Sequence, residues 1–90
     1  MEIEELLQTL GLDSDYEHQG DKVVVHLKDS DQWMKLYNKL SKSDFADLDV
    51  DTGVQLDMDK WSAVFLTDDY DLTLLGDVDR DEYNLIIKSA

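Results

Sequence analysis

From Ala46 to Asp59 apolar and acidic residues take turns along the chain. Ala46, Leu48 and Val50 alternate with Asp47, Asp49 and Asp51; Val54, Leu56 and Met58 alternate with Gln55, Asp57 and Asp59. A period of two belongs to β-strands, whose successive side chains point to opposite faces, and it excludes a helix over this stretch. The pattern continues beyond it. Ala63-Val64-Phe65-Leu66 is apolar on both faces, which predicts a central strand over Trp61–Thr67. Asp68-Asp69 then turns the chain into Tyr70–Leu75, and after an acidic loop from Gly76 to Glu82 a strand over Tyr83–Lys88 closes the sheet.

The front half mixes periods. Ile3, Leu6, Leu7 and Leu10 fall on one stripe of a short helix that Gly11 can end. Tyr16–Gln19 and Lys22–Leu27 flank Gly20-Asp21, a type II′ hairpin signal that sets Tyr16 opposite Val25 and His18 opposite Val23. Asp29 with Gln32 resembles a capping box, Ser30 being the alternative cap, ahead of a stripe of Trp33, Leu36, Tyr37 and Leu40. Helices are expected near 2–10 and 31–41. For 47–59 a hairpin with glycine in the left-handed position is expected, pairing Val50 with Val54, Leu48 with Leu56 and Asp47 with Asp57. The expected fold class is α+β: a mostly antiparallel sheet of about five to seven strands, both helices on one face, in the order α-β-β-α-β-β-β-β-β. Ninety residues without proline or a low-complexity linker read as a single domain.

Charge narrows the function. Twenty-two acids against eight bases leave −14, which disfavours direct contact with nucleic acid or anionic lipid. The excess is uneven: residues 44–82 hold thirteen acids against Lys60 and Arg80 alone. Seventeen of the acids are Asp and five are Glu. The absence of cysteine, of a signal peptide at Met1 and of a long apolar run fits a reducing cytoplasm and no membrane partner.

The repeated Asp-x-Asp unit invites a calcium reading, and its spacing fails. From Asp47, Gly53 arrives one residue late and the twelfth position is Met58; from Asp77 the sixth is Glu82 and the twelfth is Lys88. No metal or other cofactor is expected. Paired-carboxylate catalysis needs two acids in different environments within a cleft, and these sit on strands and turns. His18 and His26 have no HExxH spacing and no nucleophile motif beside them. Lys35, Lys39 and Lys42 form a short basic stripe of the kind a solvated helix face carries. An enzyme is therefore not expected.

A binding role is. Aspartate is disfavoured in strands and like charges opposite each other destabilise a sheet, so an Asp-lined strand face calls for a reason beyond folding. Alternate strand residues lie roughly 6.6–6.8 Å apart, comparable to successive phosphates of a nucleic acid strand. The candidate partner-binding residues are Asp47, Asp49, Asp51, Asp57, Asp59, Asp68, Asp69, Asp71, Asp77, Asp79, Asp81 and Glu82. Their expected partner is a positively charged protein, a nucleic-acid-binding protein or nuclease, and not nucleic acid itself.

In size and composition the chain resembles the small acidic inhibitors made by phages and plasmids. Some of those imitate DNA and block restriction, CRISPR or chromatin proteins; others are immunity proteins that mask nuclease toxins. The resemblance implies an inhibitor class and assigns no residue. A structural or assembly protein with an acidic solubility surface is the third expectation.

Overall fold

The computed structural model describes residues 2–12, 16–51 and 53–90. Among them the chain forms two helices and seven strands: α1 (Ile3–Thr9), β1 (Tyr16–Gln19), β2 (Lys22–Leu27), α2 (Ser30–Lys42), β3 (Asp47–Leu48), β4 (Val54–Leu56), β5 (Lys60–Leu66), β6 (Tyr70–Asp77) and β7 (Glu82–Ser89). All strands belong to one antiparallel sheet in the order β1-β2-β7-β6-β5, with β3 and β4 both lying against the far edge of β5. Both helices pack on one face, so the fold class and element order are those expected.

Local chemistry explains the parts that matched. Gly20 takes φ 66° and Asp21 does not turn positive, the type II′ pattern, and Tyr16 pairs with Val25 and His18 with Val23. Asp29 caps α2: its carboxylate accepts the Gln32 N–H at 2.9 Å, while Gln32 Oε1 accepts the Lys28 N–H at 2.6 Å. Such a cap is worth about 1 kcal/mol. Trp33, Leu36 and Leu40 then point into the sheet. Trp33 stacks on Tyr37 with centroids 5.7 Å apart, and Tyr37 meets the edge of Phe65 at 5.8 Å. Leu6 and Leu7 of α1 join the same core, whose floor is the inward side of β2, β5, β6 and β7.

Three expectations about the rear half are overturned. β5 is not central; it lies one strand in from the edge, and β6 and β7 occupy the middle. β7 does not close the sheet but sits between β2 and β6, with Val25 opposite Leu85 and Leu85 opposite Leu74. An end-of-chain strand gains two ladders there instead of one.

The third correction concerns the 47–59 hairpin. β3 and β4 do not pair with each other. Both pair with β5, Leu48 opposite Phe65 and Val54 opposite Ala63, as two pieces of one edge strand. Between them the chain leaves the ladder opposite Val64, whose carbonyl accepts the Asp49 N–H at 2.9 Å. Gly53 does adopt φ 72°, yet it closes a loop back onto the Asp49 carbonyl (2.8 Å) and not a hairpin tip. Leu48, Val54 and Leu56 face the helix side in either arrangement, so the alternation could not distinguish them. Pairing along β5 covers that strand's free edge, which a self-paired hairpin would leave bare. Val50 and Met58, expected on the apolar face, are instead 84% and 97% exposed.

Candidate functional site, an acidic partner-binding surface

The strand order turns a charge bias along the chain into a charge bias in space. Residues 44–82 supply β3, β4, β5 and β6, a contiguous half of the sheet, because β7 comes back beyond them to reach β2. Among the described residues, Lys60 and Arg80 are the basic side chains of that segment, and both approach the same carboxylate, Asp77, at 3.9 Å. At that distance and exposure the pairs neutralise little.

The candidate acids occupy three places on this half. Asp57 and Asp59 in the β4–β5 turn lie beside Asp77 at the end of β6, Asp79 and Asp81 of the β6–β7 loop and Glu82 at the start of β7, joined by a Val78 N–H to Asp59 carbonyl bond of 2.9 Å. Asp68 and Asp69 form the β5–β6 turn at the opposite end, where they border a groove of about 330 Å³ with Asp44 and Asp47. Asp49 and Asp51 stand in the interrupted edge between β3 and β4. Asp71 projects from β6 and is half-buried.

The phosphate-like ladder is not formed. Asp47 lies on a strand, Asp49 and Asp51 in the loop that leaves it, and Asp57 and Asp59 in a turn. Asp47 is opposite Leu66 and not Asp57, so the expected cross-strand repulsion is absent as well.

Three of these aspartates have a local reason to be aspartate. The Asp49 carboxylate accepts the Asp51 N–H at 3.1 Å, and that of Asp77 accepts the Arg80 N–H at 3.2 Å. Asp81 takes φ 54°, a left-handed conformation that Asp tolerates better than most residues. The excess of Asp over Glu therefore reflects turn-making as well as charge. Among the candidates only Asp47, Asp71, Asp77 and Glu82 lie within strands.

Those four share a face. Their register partners Leu66, Lys88 and each other place them on the side of the sheet away from the helices. Between them lie residues not singled out from the sequence: Val64, Thr73, Leu75 and Ile86 point outward from β5, β6 and β7. The two-faced apolar run of β5 carries the signal in the sequence, where it predicts a central strand and not an open outer face. At one end of this face a groove of about 380 Å³ runs between Leu75, Gln55, Asn84, Asp77 and Glu82.

His26 also sits on the outer face, its Nδ1 3.0 Å from Asn84 Oδ1 and its Nε2 3.4 Å from Glu17 Oε1. It belongs to β2 inside the sheet; His18 is on the edge strand β1. Among the described residues no three His, Asp or Glu side chains converge as metal ligands, and no helix is long and apolar enough to cross a membrane. Asp13 and Asp15 lie outside the described residues, as does Thr52.

With so much like charge on one half, screening should stabilise the fold. The melting temperature at pH 7 is expected to rise as sodium chloride goes from about 0.01 M to about 0.15 M, where the Debye length falls from about 30 Å to about 8 Å. A melting temperature indifferent to salt would mean that the turn geometry holds the carboxylates far enough apart to cancel the effect. Compared with known protein families, with characterised proteins and with solved structures, the chain matches none at the level of a recognisable relationship.

Proposed function

We propose that this chain is an acidic binding protein that occupies the basic, nucleic-acid-binding surface of a partner protein and thereby inhibits it. The observation that supports the reading is the spatial segregation of charge: thirteen acids and two bases on one contiguous half of the sheet. A field of that sign steers a Lys- and Arg-rich surface into contact and competes for side chains that otherwise hold phosphates. The support comes from charge placement and no longer from a phosphate-like spacing. Catalysis has less to recommend it, because the candidate acids are turn and rim residues rather than an unlike pair in a cleft.

A second reading has its own observation. Val50 and Met58 stand 84% and 97% exposed between flanking aspartates, which suits an immunity protein that adds apolar anchors to charge when it masks a nuclease toxin.

Capture on the immobilised chain at low salt, followed by identification of the bound protein, tests both. The expected result is a basic protein released by salt and displaced by duplex DNA. A nuclease that resists both salt and DNA would favour the immunity reading. Retention of nothing in a salt-dependent manner would reduce the charge to a solubility surface.

A further inference from the structure

An antiparallel sheet with both helices on one side should show polar side chains on the other, because alternation sends every second residue into water. Here the outer face carries an apolar band beside a row of mixed character, Ser62, Leu75, Asn84 and His26. Across its middle runs one cross-strand row, Val24 on β2, Ile86 on β7, Thr73 on β6 and Val64 on β5, each directly opposite the next. Leu75 and Leu66 lie on either side of the row at 38% and 39% exposure. Val24 is 8% exposed yet is no part of the core beneath the helices, so its outer-face neighbours are what shield it. A strip of apolar side chains broken only by Thr73, on a face that is otherwise largely polar, is the mark of an interaction surface.

The charges around the strip are ordered. Asp47 and Asp71 stand at one end, in a row that continues through Lys88 to Lys22. Asp77 and Glu82 stand opposite each other at the other end, next to Lys60 and above the groove floored by Leu75. Asp47, Asp71, Asp77 and Glu82 border the strip from β3, β6 and β7, Glu17 on β1 stands beyond Val24, and Lys22 and Lys88 hold one corner.

We propose that this open sheet face is where the partner docks, and that its occupant is a protein surface with apolar side chains bordered by Lys and Arg. The inference rests on the acidic-binder reading and adds where the contact is made. Charge complementarity selects the occupant. A second copy would bring another −14 to the same surface, and a nucleic acid would meet the same repulsion. An apolar centre excludes water, which strengthens the ion pairs at its rim and gives the complex a lifetime that charge alone does not provide.

Two probe peptides of equal positive charge separate the possibilities, one with serine and glycine between its arginines and one with leucine and tryptophan. Each is titrated into the isotope-labelled chain at low salt and followed by amide shifts. The apolar-basic peptide is expected to bind at least about tenfold more tightly, with shifts centred on Val24, Val64, Leu75 and Ile86. Val64→Thr combined with Ile86→Thr keeps β-branched residues on both strands and should remove that advantage. Leu75→Gln, a single change at a partly exposed site, gives the same reading if the double variant fails to fold. Equal affinities, with shifts confined to the acidic turns, would overturn the docking face and leave the acidic binder standing. Failure of both peptides to bind would remove both proposals. A concentration-dependent dimer abolished by the double variant would assign the face to a second copy and overturn the proposal.

Discussion

Replacing Phe65 with Ala is expected to destabilise the protein by about 3–5 kcal/mol. Its ring is fully buried on β5 between Leu72 on the next strand and Tyr37 of α2. Truncation forfeits the transfer energy of the ring and leaves a cavity that sheet and helix cannot collapse to fill. For a small domain whose total stability lies around 5–15 kcal/mol, that loss brings unfolding close to room temperature. Urea titration of the variant measures it directly. The informative comparison is Met58→Ala, expected to stay within about 0.5 kcal/mol of the parent because Met58 is 97% exposed. Had residues 47–59 folded back as a hairpin with Met58 on its buried face, the same change would cost about 2–5 kcal/mol. A severe effect at Met58 would therefore restore the hairpin and refute the interrupted edge strand.

Charge reversal at Asp47 and Glu82 together is expected to weaken binding to the captured partner by at least about 2 kcal/mol, much of it in the dissociation rate. Both side chains are exposed and both project from the outer face, at opposite ends of the apolar strip. Glu4→Lys with Asp21→Lys changes net charge equally at exposed positions on α1 and in the β1–β2 turn. If long-range steering were the whole effect, the two pairs would lose affinity alike, mainly in association rate, and salt would erase the difference. A contact at the face predicts a large loss from the first pair alone. Asp47→Lys relieves no repulsion across the strands, because Asp47 faces Leu66, and any stability it gains comes from Asp44, Asp68 and Asp69 around the same groove. Surface plasmon resonance at low and physiological salt, with circular dichroism as the folding control, decides the matter. Equal losses would leave a generic acidic surface.

Short-range features were legible from the chain alone. Gly20-Asp21 specifies its own turn, and a two-residue loop leaves one register open to the strands on either side. Asp29 and Gln32 are three residues apart and satisfy one end of α2 with no help from elsewhere. The apolar stripes of both helices and the imbalance of residues 44–82 are likewise written in order along the chain. The turn and the cap reach over a few residues, and their energetics are complete within that reach.

Partner choice between strands was not legible, because alternation tells which face a residue takes and not which neighbour it meets. Leu48, Val54 and Leu56 satisfy the same pattern whether they pair with each other or along β5, and only the need to cover the edge of β5 separates the two. β7 pairs with β2 across most of the chain, Lys22 opposite Lys88. That pairing keeps the acidic segment in one piece and creates the outer-face row. The run Ala63-Val64-Phe65-Leu66 shows the limit most clearly. Its two apolar faces were visible from the start, but a second cover for the outer one could not be judged until both helices were seen packed on the inner side. The composition of a strand reports how much apolar surface it carries; whether that surface is buried within the chain or left for another molecule depends on where every other element goes.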